Sequence, residues 1–320
     1  MKKECSTYLC LLLIYLSKII DHMNKIYGFG NALIDIEIRI SEEQLKTISI
    51  PKGSMKHISQ DELSILLKDF KSQRYSALPG GSVANSLYAA NQHGSKTYFS
   101  CSIGDDEYGE LFLKSFKDSD KAMSFFRSSL PTGICLIFVT PDGERTMAAN
   151  LGANLDLCPE SINISELLSS DFLVLDNFSL SSRKGIETVE YSLQVKDEVR
   201  VCFGLSDTSL IKENYENLKK VFLNKIDILY GNEAEIVKLQ ELISNPALNT
   251  LVSKGSKGAK YNQINIEASK IDVINSNGAG DALIGTFLAY TDVLDKRLAL
   301  SKAISYATKV CMINGPRLLT

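Results

Sequence analysis

Short apolar runs recur along the chain, and segments with helical spacing separate most of them. Residues 25–31 (KIYGFGN), 96–104 (KTYFSCSIG), 171–177 (DFLVLDN), 198–204 (EVRVCFG), 227–232 (DILYGN) and 249–255 (NTLVSKG) read as strands. In residues 82–94, Val83, Leu87 and Ala90 share one helical face, with Ser82 as cap and Gly94 as stop. Residues 106–116 (DEYGELFLKSF) form a second such pattern. Strands apolar on both faces, alternating with helices, predict an α/β fold with a mostly parallel central sheet flanked by helices on both faces.

Two stretches break this rhythm. Residues 35–40 (DIEIRI) alternate polar and apolar positions, and residues 133–150 carry a Pro-Asp-Gly turn between two strand-like halves. Alternation means one covered face and one polar face. It predicts a small β-sheet lid from segments near 35–60 and 131–150, beside the carboxyl ends of the main strands. Residues 1–22 read as an N-terminal extension upstream of a functional start at Met23. Their apolar run, Tyr8 to Leu16, follows Lys2 and Lys3 but is too short to span a bilayer. Residues 23–320 then form one domain.

Composition narrows the classes. The 320 residues are 44% apolar and 23% charged, which excludes a fully disordered chain. A net charge of −3 argues against a charge-driven nucleic-acid surface. The seven cysteines are scattered without a Cys-x-x-Cys pair, so buried thiols in a reducing, cytoplasmic setting are expected rather than a disulfide framework or zinc site. Three histidines at unrelated positions (22, 57, 93) leave little material for a His-based metal centre. No membrane partner is expected, and a monomer or a homodimer both remain open.

The glycine-rich segments carry the candidate chemistry. Residues 28–33 (GFGNAL) follow a strand, but Leu33 stands where a dinucleotide fingerprint wants Gly or Ala, which disfavours an oxidoreductase. Residues 255–260 (GSKGAK) lack the Gly-Lys-Ser/Thr of a Walker loop. In residues 275–290 (NSNGAGDALIGTFLAY), Gly278, Ala279 and Gly280 precede an apolar helix. Small residues there let backbone N–H groups approach an anion, and the helix dipole adds positive potential. Asp281, in the first turn, either caps the helix or takes the proton from an attacking hydroxyl. Gly80-Gly81 opens another helix with Asn85 one turn inside, a residue that is either solvated or available to a pair of sugar hydroxyls. Asp35, close after the first strand, is either a turn residue or an acceptor for vicinal hydroxyls.

Together these motifs resemble the ribokinase (PfkB) family of carbohydrate and nucleoside kinases, from about Ile26 to the C-terminus and in the family's order. GGSVAN (80–85) with IGDDEYGELF (103–112) resembles the family's N-terminal signature, and NSNGAGDALIGTF (275–287) its C-terminal one. PTGICLIFVTPDGERT (131–146) resembles the lid hairpin, GNEAE (231–235) the Asn-x-x-Glu motif, and VSKGSKGA (252–259) the nucleotide-side strand and loop. The resemblance implies a ribokinase-like fold and ATP-dependent phosphoryl transfer to a sugar or nucleoside hydroxyl. It makes Asp281 the base and Gly278, Ala279 and Gly280 the anion hole, with Arg145 closing over the phosphates unless it is only a solvated hairpin charge. Asn31, Asp35, Gly81 and Asn85 would hold the acceptor. Asn232, Gly255, Gly258 and Asn277 would hold ATP, and Glu235 would serve Mg2+ through water. Family members usually carry Asp where this chain has Asn275; the exchange removes a charge and weakens the case for a monovalent-cation site beside this loop. Residues 28–55 and 144–157 look more like adenosine kinases and their bacterial relatives. The implied acceptor is therefore a nucleoside, adenosine at its 5′-hydroxyl first, with a ribokinase- or fructokinase-type sugar kinase, or a catalytically silent sugar or nucleotide sensor, as alternatives.

Overall fold

The computed structural model describes residues 23–73, 75–116, 121–223, 226–244 and 247–318. The N-terminal extension, residues 1–22, lies outside the described residues. In chain order the strands are β1 (Ile26–Phe29), β2 (Leu33–Arg39), β3 (Met55–His57), β4 (Tyr75–Pro79), β5 (Thr97–Gly104), β6 (Lys121–Ser128) and β7 (Gly133–Val139). They continue as β8 (Arg145–Asn150), β9 (Phe172–Asp176), β10 (Arg200–Gly204), β11 (Ile226–Asn232), β12 (Ala247–Ser253), β13 (Ala259–Tyr261) and β14 (Ile264–Ile266).

Nine strands form the main sheet, in the order β14-β13-β12-β11-β10-β9-β1-β5-β6. The pairs from β6 to β12 are parallel, and β13 and β14 close one edge antiparallel. Successive residues of a strand enter opposite cores, as the two-residue period requires. Phe172 and Val174 of β9 pack under the helices Ser82–Gln92, Ala279–Tyr290 and Lys296–Val310. Leu173 and Leu175 pack under Arg183–Val195 and Tyr215–Leu223. This double burial is why these strands are continuously apolar.

The second sheet has five strands in the order β3-β8-β7-β2-β4. In β2, Ile34, Ile36 and Ile38 are buried in one core with Leu45, Leu63 and Phe70, while Leu33, Asp35 and Glu37 take the other face. The alternation in residues 35–40 thus becomes one apolar face and one face turned to a cavity. Four strands lie beyond the expected segments: β4 joins the lid from residues 75–79, β6 adds one edge to the main sheet, and β13 and β14 add the other. No helix among the described residues is long and apolar enough to cross a membrane.

Candidate active site

The carboxyl ends of β9, β10, β11 and β12 contribute Asp176, Gly204, Asn232 and Ser253 to a cavity of 330 Å³ roofed by the lid sheet. Ligands of open α/β sheets bind at this edge. A second cavity of 680 Å³ lies on the far side of the Gly278–Asp281 loop, bordered by Gly255, Gly258, Ala279 and the helix Lys296–Val310. Both are lined by Asn232, Ser253 and Gly280, so they meet at the head of the helix Ala279–Tyr290.

That helix starts on Gly278, which is left-handed at φ +74, and a Cβ there would lie 2.4 Å from the Pro316 carbonyl oxygen. At Gly280 a Cβ would lie 2.3 Å from the Tyr230 hydroxyl, so a side chain there would have to displace that ring. The first-turn N–H groups of Gly280 and Asp281 have no partner within the helix, which leaves them for an anion, while the Ala279 N–H donates to the Ser276 carbonyl at 3.3 Å.

Asp281 lines the first cavity. Its Oδ1 accepts from Ser82 Oγ at 2.7 Å and its Oδ2 from Asn85 Nδ2 at 2.9 Å. Burial pushes this carboxyl up, while the Asn85 and Ser82 hydrogen bonds and the Arg317 charge pull it back. Ser82 therefore does not cap its own helix: the N-cap is Gly81, at φ +90, with no side-chain cap. Asn85 is not free to take two acceptor hydroxyls either. Its Oδ1 accepts from Arg317 Nε at 2.7 Å while its amide nitrogen serves Asp281.

Asn31, Asp35, Gly81 and Asn85 all line the first cavity. Asp35 is pushed up to about 6, chiefly by burial, and accepts from Asn277 Nδ2 at 2.8 Å. Asn277, assigned by its motif to the nucleotide, thus lines the first cavity beside Asp35. Gly255 and Gly258 border the second cavity. Asn232 and Glu235 form a reciprocal helix cap: Glu235 N–H donates to Asn232 Oδ1 at 2.9 Å, and Glu235 Oε2 accepts from Asn232 N–H at 3.0 Å. Burial, with Asp207 and Asp281 nearby, lifts Glu235 to about 7. Among the described residues no cluster of His, Cys, Asp and Glu forms a metal cage.

Arg145 stands outside the lining of both cavities. It donates to Asn275 Oδ1, and its Nη1 reaches Ser276 Oγ at 3.4 Å, so it rests on the loop just before Gly278. Asn275 is buried and donates from Nδ2 to Glu37 Oε2 at 2.8 Å. The sequence reading missed Arg317. A lone Arg in a C-terminal tail reads as solvated, and the only local signal is Gly315-Pro316, which turns the chain back over the site.

The chain was compared with known proteins. The model of the pfkB family carbohydrate kinases matches residues 60–314. Adenosine kinase 2 of Arabidopsis thaliana is 26% identical, over 82% of this chain and 86% of its own. Ribokinase of Staphylococcus aureus is 27% identical, over 73% of this chain and 80% of its own. The crystal structure of adenosine kinase from Sinorhizobium meliloti superposes with a TM-score of 0.85 at 22% identity, covering 93% of this chain and 97% of that one, a likeness of fold. With residues 60–314 of its 320 matched by the family model, the chain belongs to the PfkB family of carbohydrate kinases.

Proposed function

We propose that the chain transfers the γ-phosphoryl group of ATP to a hydroxymethyl group of a nucleoside, with the 5′-hydroxyl of adenosine as first candidate. The division of the 330 Å³ cavity carries this reading. Its lid surface is apolar over Leu33, Met55, Cys135, Ile137, Met147 and Ala149. Its polar part is formed by Asp35, on the same face of β2 as Leu33, together with Asn31, Asn277 and Asp281 from outside the lid sheet. A planar base would bury against the first surface, at ~25 cal/mol per Å² of apolar area. Ribose hydroxyls would meet the second. The names of the relatives divide between adenosine kinases and ribokinases, and the polar side alone would serve a free sugar.

ATP would occupy the second cavity with its phosphates toward Gly278, Ala279 and Gly280. Asp281 would take the proton of the acceptor hydroxyl while the first-turn N–H groups hold the migrating phosphoryl. Kinases of this family use ATP, generally with Mg2+. Here Asn232 and Glu235 would reach that ion through water, and a buried carboxylate lifted to about 7 fits a place completed by a cation. The ion would neutralise phosphate charge.

The test is ADP release with Mg-ATP across nucleosides, ribose and fructose. Adenosine should give the highest kcat/KM; a free sugar that outruns every nucleoside moves the reading to a sugar kinase. Asp281→Asn should lose ~10²–10⁴-fold in kcat with ATP binding kept. A variant as active as the parent removes Asp281 as the base.

A further inference from the structure

We infer that Arg317 is a positioning residue for phosphoryl transfer: it holds Asn85 in the orientation that donates to Asp281, and it supplies the positive charge that favours the carboxylate form. The inference rests on Asp281 being the base.

Arg317 is only 4% exposed, and a guanidinium is seldom buried without a task. Each of its nitrogens is committed. Nε donates to Asn85 Oδ1 at 2.7 Å, Nη1 to Ser115 Oγ at 3.0 Å and Nη2 to the Gly80 carbonyl at 3.1 Å. Its Cζ lies 5.4 to 5.8 Å from the ring centroids of Tyr88, Phe112 and Phe116. The tail that carries it is tied down where the Tyr88 hydroxyl donates to the Leu318 carbonyl at 2.9 Å.

This contact decides the Asn85 amide. A guanidinium N–H can only donate, so it selects the oxygen, and the amide nitrogen is left to donate to Asp281 at 2.9 Å. Without Arg317 the Asn85 oxygen loses its donor, and the carboxylate alone holds the amide in this orientation.

Charge points the same way. The groups that face Asp281 are mostly acids: Asp35 of β2, Asp176 of β9, the Tyr230 hydroxyl of β11 and Glu235 of the helix Glu233–Gln240. Arg317 is the cation set against them. Arg145 acts on Asp35, and Lys302 and Lys309 of the helix Lys296–Val310 act on His93. Burial pushes the Asp281 carboxyl up, and the Arg317 charge opposes that push and favours the form that can accept a proton.

The experiment is the pH profile of kcat/KM from acid to alkaline pH, with Mg-ATP and the best acceptor found above. Arg317→Gln should move the acid limb up by about one pH unit, a roughly tenfold loss below the limb that alkaline pH recovers. Arg317→Lys, which keeps the charge, should leave the limb near its parent position. A uniform loss at every pH with the limb unmoved overturns the inference, and an inactive Asp281→Asn alongside it would leave the reading of Asp281 intact. Should Arg317→Gln not fold, Asn85→Ala carries the test, because the guanidinium keeps Ser115 and Gly80. Its acid limb should also rise, and an unmoved limb overturns the relay.

Discussion

At the end of β9, Asp176 is 3% exposed and lines the cavity, yet its hydrogen bonds stay within its own turn. Ser179 donates to its Oδ1 from the backbone at 3.0 Å and from the hydroxyl at 2.9 Å. Burial pushes it up to about 6, with the Asp281 charge adding to the lift. An unfolded Asp titrates near ~3.9, so the folded chain binds this proton more tightly and stability falls as pH rises through about 6. Asp176→Asn keeps an oxygen for both Ser179 bonds and removes the charge. Urea unfolding should show a gain of about 1–3 kcal/mol at pH 8 and almost none at pH 4, by that linkage. An equal gain at both pH values would trace the effect to something other than the charge.

The helices Ser82–Gln92 and Ala279–Tyr290 carry the site between them: Ser82 and Asn85 stand in the first turns of one, Asp281 in the first turn of the other. Their separation is set at Gly285, one turn below Asp281, where a Cβ would lie 1.9 Å from the Ser86 carbonyl oxygen. In an exposed helix Gly→Ala gains up to ~1 kcal/mol. Here overpacking should reverse the sign, and Gly285→Ala should destabilise by about 1–3 kcal/mol. It should also lower kcat at saturating substrate, since a wedge between the helices moves both donors from Asp281. Higher stability in the denaturation curve would mean that the pair separates freely. The sequence disclosed these helices because their apolar faces are periodic, and the main strands because burial on both faces leaves an unbroken apolar run. It hid β4, whose residues 75–79 are too short to show a period, and β6, where Phe125 and Phe126 are adjacent and both exposed. At the site it offered the glycines and Asp281, which one segment of chain brings together. The Ser82, Asn85 and Arg317 contacts join positions up to 237 residues apart, and no local pattern encodes such a meeting.

Across the whole molecule the lid is tied to the loop that leads into the helix Ala279–Tyr290 by two matched periods of two. Asp35 and Glu37 project from one face of β2, and Asn277 and Asn275 meet them at 2.8 Å each. Arg145, at the start of β8, adds a third tie to Asn275. Asn275 is suited to this place because its Oδ1 accepts from Arg145 and from the Asn277 N–H, while its Nδ2 donates to Glu37. An Asp there would keep the first two contacts and turn its second oxygen against Glu37. Like charges at hydrogen-bond distance in a half-buried site repel, and salt screens them only in part. Asn275→Asp should therefore favour the open lid, raising KM for the acceptor several-fold while ATP affinity changes little; steady-state kinetics in both substrates reads this directly. Adding Glu37→Gln restores a donor to the new carboxylate and should return KM toward its parent value. A KM that the second substitution leaves raised would show that the lid does not close through this contact. The same pair of variants addresses monovalent cations. Asp at 275 restores the charge beside the loop, so the double variant should retain activity with an altered response to potassium; an unchanged response would place the control of any such ion elsewhere than at residue 275.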